Sequence, residues 1–178
     1  MRRVVDRERL LAFMRDLGRR ARNDATLYLT GGASALLMDW RPTTIDIDIK
    51  IEPESSDLLR ELPHLKETYD LNIELASPDH FIPELPGWRE RSPFIVREGR
   101  LDFRHYDFYA QALSKLERAH ARDAADVDAM VARALVDRAK LLRFYEAIEP
   151  ELYRYPAINP AVFRRSVEAY VRRPPTLA

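Results

Sequence analysis

The chain has 178 residues, 46% hydrophobic and 33% charged, with 29 basic and 29 acidic side chains that cancel. These proportions supply apolar material for a core and exclude an intrinsically disordered chain, and the neutral balance excludes a global electrostatic pull toward nucleic acid or membrane. The absence of cysteine removes disulfides, thiolate metal sites and cysteine nucleophiles, leaving Asp, Glu and four histidines as candidate metal ligands. Val4, Leu10, Leu11, Met14 and Leu17 recur at helical spacing up to about Arg22, which predicts a surface helix with one buried stripe and a stop blurred by Gly18. Ala25-Thr26-Leu27-Tyr28-Leu29-Thr30 is β-prone and runs into Gly31-Gly32, after which Ala33-Ser34-Ala35-Leu36-Leu37-Met38 turns helical. Arg41-Pro42 stops that helix, and residues 43–51 alternate apolar with polar as a second strand, Ile45, Ile47 and Ile49 pointing into the core.

A helix follows from Ser55 to about Leu65, interrupted or ended near Pro63, and then a short third strand, Leu71-Asn72-Ile73-Glu74-Leu75, with Leu71, Ile73 and Leu75 facing inward and Asn72 and Glu74 on its polar face. Pro78, Pro83, Pro86 and Gly87 mark a long loop, and residues 94–97 and 101–104 flank Glu98-Gly99-Arg100 as a hairpin. From Asp107 the pattern is helical over 107–120, 123–133, 135–148 and, after Asn159-Pro160 as cap and first turn, 161–172. Arg172-Arg173-Pro174-Pro175 reads as a disordered end. The expected fold class is α/β (α+β): a mixed β-sheet with helices over 1–105, followed by a C-terminal helical region over 106–178. No apolar run approaches the roughly 20 residues of a membrane span, and Met1-Arg2-Arg3-Val4-Val5-Asp6-Arg7 lacks a signal peptide's apolar stretch, so the expectation is soluble and cytoplasmic.

Chemistry concentrates at Gly31-Gly32-Ala33-Ser34 and Asp46-Ile47-Asp48. Asp46 and Asp48 share one face of their strand, about 7 Å apart by the strand rise, and such a pair can hold a divalent cation with oxygen ligands. Gly31-Gly32 lets a phosphate approach backbone N–H groups at a helix start, and Ser34 offers a hydroxyl. Each motif alone also fits ordinary structure, a tight turn or the solvated face of a strand. Lys115 and Arg118 lie three apart on one helix, as do Asp123 and Asp126, and by themselves read as a surface ion-pair cluster. His64, His80, His105 and His120 show no paired metal-binding spacing and read as structural or solvated. Trp40, Trp88 and Tyr106-Asp107-Phe108-Tyr109 are either core aromatics or a base-stacking surface.

In this order and spacing, Gly31-Gly32-Ala33-Ser34 followed by Arg41-Pro42-Thr43-Thr44-Ile45-Asp46-Ile47-Asp48 resembles the signature of the DNA polymerase β superfamily of nucleotidyltransferases. Ala112-Leu113-Ser114-Lys115-Leu116-Glu117-Arg118 with Arg122-Asp123-Ala124-Ala125-Asp126-Val127 is similar to segments of the AbiEii/MenT-like branch, which includes toxins of toxin–antitoxin systems. The resemblance implies that Gly31, Gly32 and Ser34 hold nucleotide phosphates, that Asp46 and Asp48 bind Mg²⁺ or Mn²⁺, and that a third carboxylate stands on a neighbouring strand. Glu74, which would bind a metal or act as the base, is the candidate and Asp102 the runner-up. It also makes Lys115 a phosphate contact beside Arg118, with Asp123 orienting it or capping the next helix. The implied activity is metal-dependent transfer of NMP from an NTP to an RNA such as tRNA, or to a protein, in a chain with an antitoxin partner. The rival from another class is a catalytically silent nucleotidyltransferase-like fold that binds or regulates.

Overall fold

Asp6 accepts a hydrogen bond from the Arg9 N–H and so starts helix α1, Arg7–Arg20, whose Leu10, Phe13, Met14 and Leu17 form a single buried stripe. This structure, a computed structural model, describes residues 4–174; the expectation for Pro175 lies outside the described residues. The chain divides into two compact units, Met1–Ser77 with Ser92–Tyr106, and Pro78–Arg91 with Asp107–Ala178. Residues 78–91, read from sequence as a loop of the first region, thus group with the second.

In the first unit, β1 (Ala25–Thr30) passes straight into helix α2 (Gly31–Leu37), then β2 (Asp46–Glu52), helix α3 (Ser56–Tyr69) and β3 (Asn72–Leu75), with β4 (Phe94–Glu98) and β5 (Leu101–His105) closing the set. The sheet order is β3-β2-β1-β5-β4. β2 and β1 pair antiparallel, as do β4 and β5, while β3 runs parallel to β2 and β5 parallel to β1. This is the mixed sheet expected from the sequence. Leu27, Leu29, Ile47, Ile49, Ile51, Ile73, Leu101 and Phe103 join the stripes of α1 and α3 in one core, leaving the alternate positions of the strands for polar groups.

Four local expectations change. Helix α3 runs through Pro63 instead of ending there. A mid-helix proline forfeits one backbone bond and costs roughly 3 kcal/mol, but Leu58, Leu62 and Leu65 are buried on one stripe, each worth about 1.5–3 kcal/mol. Ile45 is 45% exposed, because Thr44 pairs with Val5 in an isolated bridge and takes the buried place before β2 begins. Leu75 is 52% exposed at the last position of the edge strand β3. Gly18 does not blur the end of α1: a Cβ there would lie 2.6 Å from Glu98 Cβ, so the glycine lets the β4–β5 turn dock against the helix.

The second unit contains a 3₁₀ turn at Pro78–His80, a single helical turn α4 (Trp88–Arg91), and helices α5 (Phe108–Arg118), α6 (Ala121–Ala132), α7 (Arg138–Ile148) and α8 (Pro160–Arg172). Helix α5 is central, in contact with α6, α7, α8 and the 3₁₀ turn. Asn159 caps α8 as expected, accepting from the N–H groups of Ala161 and Val162. Arg172 and Arg173, read as part of a disordered end, are ordered: Arg172 closes α8 and pairs with Glu168, and Arg173 pairs with Asp128. No described helix is long and apolar enough to cross a membrane.

Candidate active site

The polar face of the first unit's sheet gathers the acidic residues. Asp48 stands opposite Thr30 on β1 and Glu74 on β3, and Asp46 stands opposite Asn72. Directly opposed residues point to the same side, so Asp46, Asp48, Asn72 and Glu74 form one patch. Asn72 ties it together, its amide donating to Asp46 Oδ1 at 2.6 Å and to Glu74 Oε1 at 2.9 Å. A neutral donor between two carboxylates eases their repulsion without closing the site with a cation. Strand alternation predicts this face for Asn72, but its bridging role has no signal in the sequence.

At the end of β1 the chain turns through Gly31, whose φ of 57° lies in the left-handed region that favours glycine. A Cβ at Gly31 would sit 3.0 Å from Asp48 Oδ2, so the carboxylate lies against the bare backbone of the turn. Gly32 is bare for a different reason: its Cβ would overlap Thr44 Oγ1 and come within 2.9 Å of Thr44 Cβ. Thr44 is held there by its hydrogen bond to the Asp46 carbonyl at 3.0 Å and by its pairing with Val5. The segment before β2 thereby fixes the glycine turn beside Asp46 and Asp48.

Ser34 departs from the expected phosphate contact. It is fully buried, and its hydroxyl donates to the Leu29 carbonyl at 2.9 Å. His105 Nδ1 lies 3.0 Å from the Ser34 hydroxyl oxygen. Because the one hydroxyl proton goes to Leu29, Nδ1 is the donor, which sets the imidazole tautomer. Burial lowers the His105 pKa to about 4, so the ring is neutral at physiological pH. Ser34 and His105 brace the turn from beneath, linking the end of β5 to the β1–α2 junction.

Of the two candidates for a third carboxylate, Glu74 is exposed and level with Asp48. Asp102 stands opposite Thr26, four residues along β1 from the level of Asp48 and two strands across. Strand rise and spacing put it roughly 16 Å away. Its carboxylate is bonded to Arg97 at 2.9 Å, and Arg97 also pairs with Asp24, in an ion-pair cluster beside the β4–β5 turn.

Within the second unit, Lys115 is not a surface residue. Lys115, Asp123 and Asp126 are 8%, 3% and 2% exposed, and Lys115 Nζ reaches Asp126 at 2.7 Å and Asp123 at 3.3 Å. Arg118 holds both oxygens of Asp123, at 2.9 and 2.7 Å. Burial pushes the Asp123 pKa up, but the Arg118 hydrogen bonds and the Lys115 charge outweigh it and hold the carboxyl below its usual range. The expected phosphate contact is thus an ammonium already neutralised between two carboxylates, in a network joining α5 to α6. Asp123 lies in the first turn of α6. Trp88, Tyr106 and Phe108 are buried, core aromatics and not a stacking surface.

The donor set on the sheet suits a hard cation: carboxylate oxygens from adjacent alternate residues, beside a backbone without side chains. Among the described residues no three His, Asp or Glu side chains form a ready-made metal cage. A family model described as nucleotidyltransferase of unknown function (DUF6036) matches residues 8–171. No curated protein and no solved structure matches the chain significantly.

Proposed function

The chain belongs to this nucleotidyltransferase family, and on that premise we propose that it transfers a nucleoside monophosphate from an NTP to an acceptor hydroxyl with the help of Mg²⁺ or Mn²⁺. The observation that carries the reading is the Asp48 carboxylate lying against Gly31, with Asp46, Asn72 and Glu74 on the same face. A divalent ion held by Asp46 and Asp48 supplies charge neutralisation for the triphosphate and the developing alkoxide. Gly31, lacking a side chain, admits the phosphates to the turn's backbone, and Gly32, packed against Thr44, fixes that turn; helix α2 has only seven residues, so the reading rests on this close approach and not on a long helix dipole. Glu74 is the proton acceptor at the exposed edge. The acceptor oxygen bonds to the α-phosphorus and loses its proton to Glu74, the bond to the bridging oxygen breaks, and pyrophosphate leaves.

The acceptor belongs to the finer part of the proposal: an RNA such as tRNA or a protein, in a toxin countered by an antitoxin. The support for it is the resemblance of residues 112–127 to the AbiEii/MenT-like branch. Incubation with each labelled NTP, Mg²⁺ and total RNA or lysate tests the whole reading. Label on RNA or protein with the native chain, and none with Asp46→Asn or Asp48→Asn, is expected. No transfer from any NTP would favour a catalytically silent binding protein. Growth arrest on expression, relieved by Asp46→Asn, is the result expected for a toxin.

A further inference from the structure

The helical unit has an opening of its own, a pocket of about 420 Å³ whose walls include Arg91, Tyr109, Lys140, Arg143, Phe144 and Ala147. That volume falls within the range of small-molecule sites. Its aromatic floor is preorganised. The Tyr109 hydroxyl accepts from the Asp137 N–H at 3.1 Å, and its ring lies 4.7 Å from that of Phe144. The Arg91 guanidinium covers Phe144 at 4.2 Å and is anchored by buried Asp107 at 2.6 Å. The rim is cationic: Lys140 and Arg143 are exposed, three apart on α7, and Ala147 follows one turn later. No carboxylate lines the cavity. An apolar, aromatic floor under a basic rim suits a flat ring that carries an anion.

We propose that this pocket binds one nucleotide unit, its base against Tyr109 and Phe144 and its phosphate at Lys140 and Arg143. The choice of a nucleotide over another flat anion rests on the nucleotidyl-transfer reading, whereas the pocket's shape and charge do not. The same unit is presented by a free mononucleotide and by a single-stranded RNA end.

Calorimetric titration of the full chain with AMP, with a seven-nucleotide single-stranded RNA and with benzoate, in EDTA and low salt, tests this. An Asp46→Asn/Asp48→Asn background removes the proposed metal site. In that background AMP or the RNA should bind, and Lys140→Ala/Arg143→Ala should weaken binding at least tenfold. Ala147→Trp, which fills the pocket from an exposed position, should do the same while thermal melting stays unchanged. Tighter binding of the RNA than of AMP assigns the site to an RNA end; equal affinity assigns it to the free nucleotide. No binding of either, binding indifferent to both pocket variants, or benzoate binding as tightly as AMP overturns the proposal. Because the background lacks the sheet carboxylates, pocket binding in it with no transfer by the native chain would sink the reading of the sheet alone.

Discussion

Both units carry a carboxylate pair, and the two are built in opposite ways. Asp123 and Asp126 are buried, with Lys115 between them and Arg118 closing one side. Asp46 and Asp48 are half-exposed on a sheet face, and the bridging donor between Asp46 and Glu74 is the neutral amide of Asn72. Buried charges survive only when paired and hydrogen-bonded, so the helical pair is committed to holding α5 against α6. A half-exposed pair beside a bare turn retains access for an ion and a phosphate. Identical residue types at similar spacing thus divide between a closed buried network and an accessible face.

Substitution can break that contrast most sharply at the sheet. Asp46→Asn or Asp48→Asn should lower nucleotidyl transfer by about 10³-fold, the scale of a lost electrostatic contact in the transition state, and leave melting nearly unchanged. Initial rates beside thermal denaturation check this. The helical pair should answer the other way. Lys115→Ala leaves two buried carboxylates facing each other and should cost roughly 3–5 kcal/mol by denaturant unfolding, while Lys115→Met with Asp126→Leu recovers much of it. A Lys115→Ala chain that melts like wild type but has a raised KM for NTP would instead restore its expected phosphate contact.

Acid should separate the supports of the two sites. The folded pKa of His105, about 4, lies below the ordinary value of 6.5, so the unfolded chain binds the proton first. Stability from this residue is complete above about 6.5 and is lost as pH falls toward about 4, by at most about 3 kcal/mol. His105→Asn, which keeps a donor toward Ser34, should flatten that limb of a stability–pH curve. Asp123, with its pKa held low, adds a loss only below the ordinary carboxylate range. A smaller effect is expected of Glu74→Gln, about 10²-fold in kcat with little change in NTP binding. Asp102→Asn, which breaks a partly exposed pair with Arg97, should leave kcat unchanged and cost no more than about 1 kcal/mol.

The sheet was legible because its strands alternate: Ile47, Ile49 and Ile73 are buried where period two puts them, and Asp46, Asp48, Asn72 and Glu74 share the other face. Alternation is local, so it carried no information about where it stops, and Ile45 and Leu75 at the strand ends escaped it. Lys115 and Asp123 are eight residues apart across a helix break, a separation from which neither period nor propensity yields burial. The burial of Ser34 is hidden for a related reason: a hydroxyl in the first turn of a helix faces a ligand or the core according to a residue 71 positions away, His105. Pro63 shows the converse, a strong local stop signal overruled by the packing of three leucines.

The contact between Gly32 and Thr44 makes two distant positions share a single volume. A methyl group at 32 would fall on Thr44 Oγ1 and lie 2.9 Å from its Cβ, so shortening residue 44 to alanine still leaves an overlap. Only glycine at 44 clears the space. In relatives of this chain, residue 32 should therefore acquire a side chain only where residue 44 has lost its own, and the two positions should change together or remain as they are.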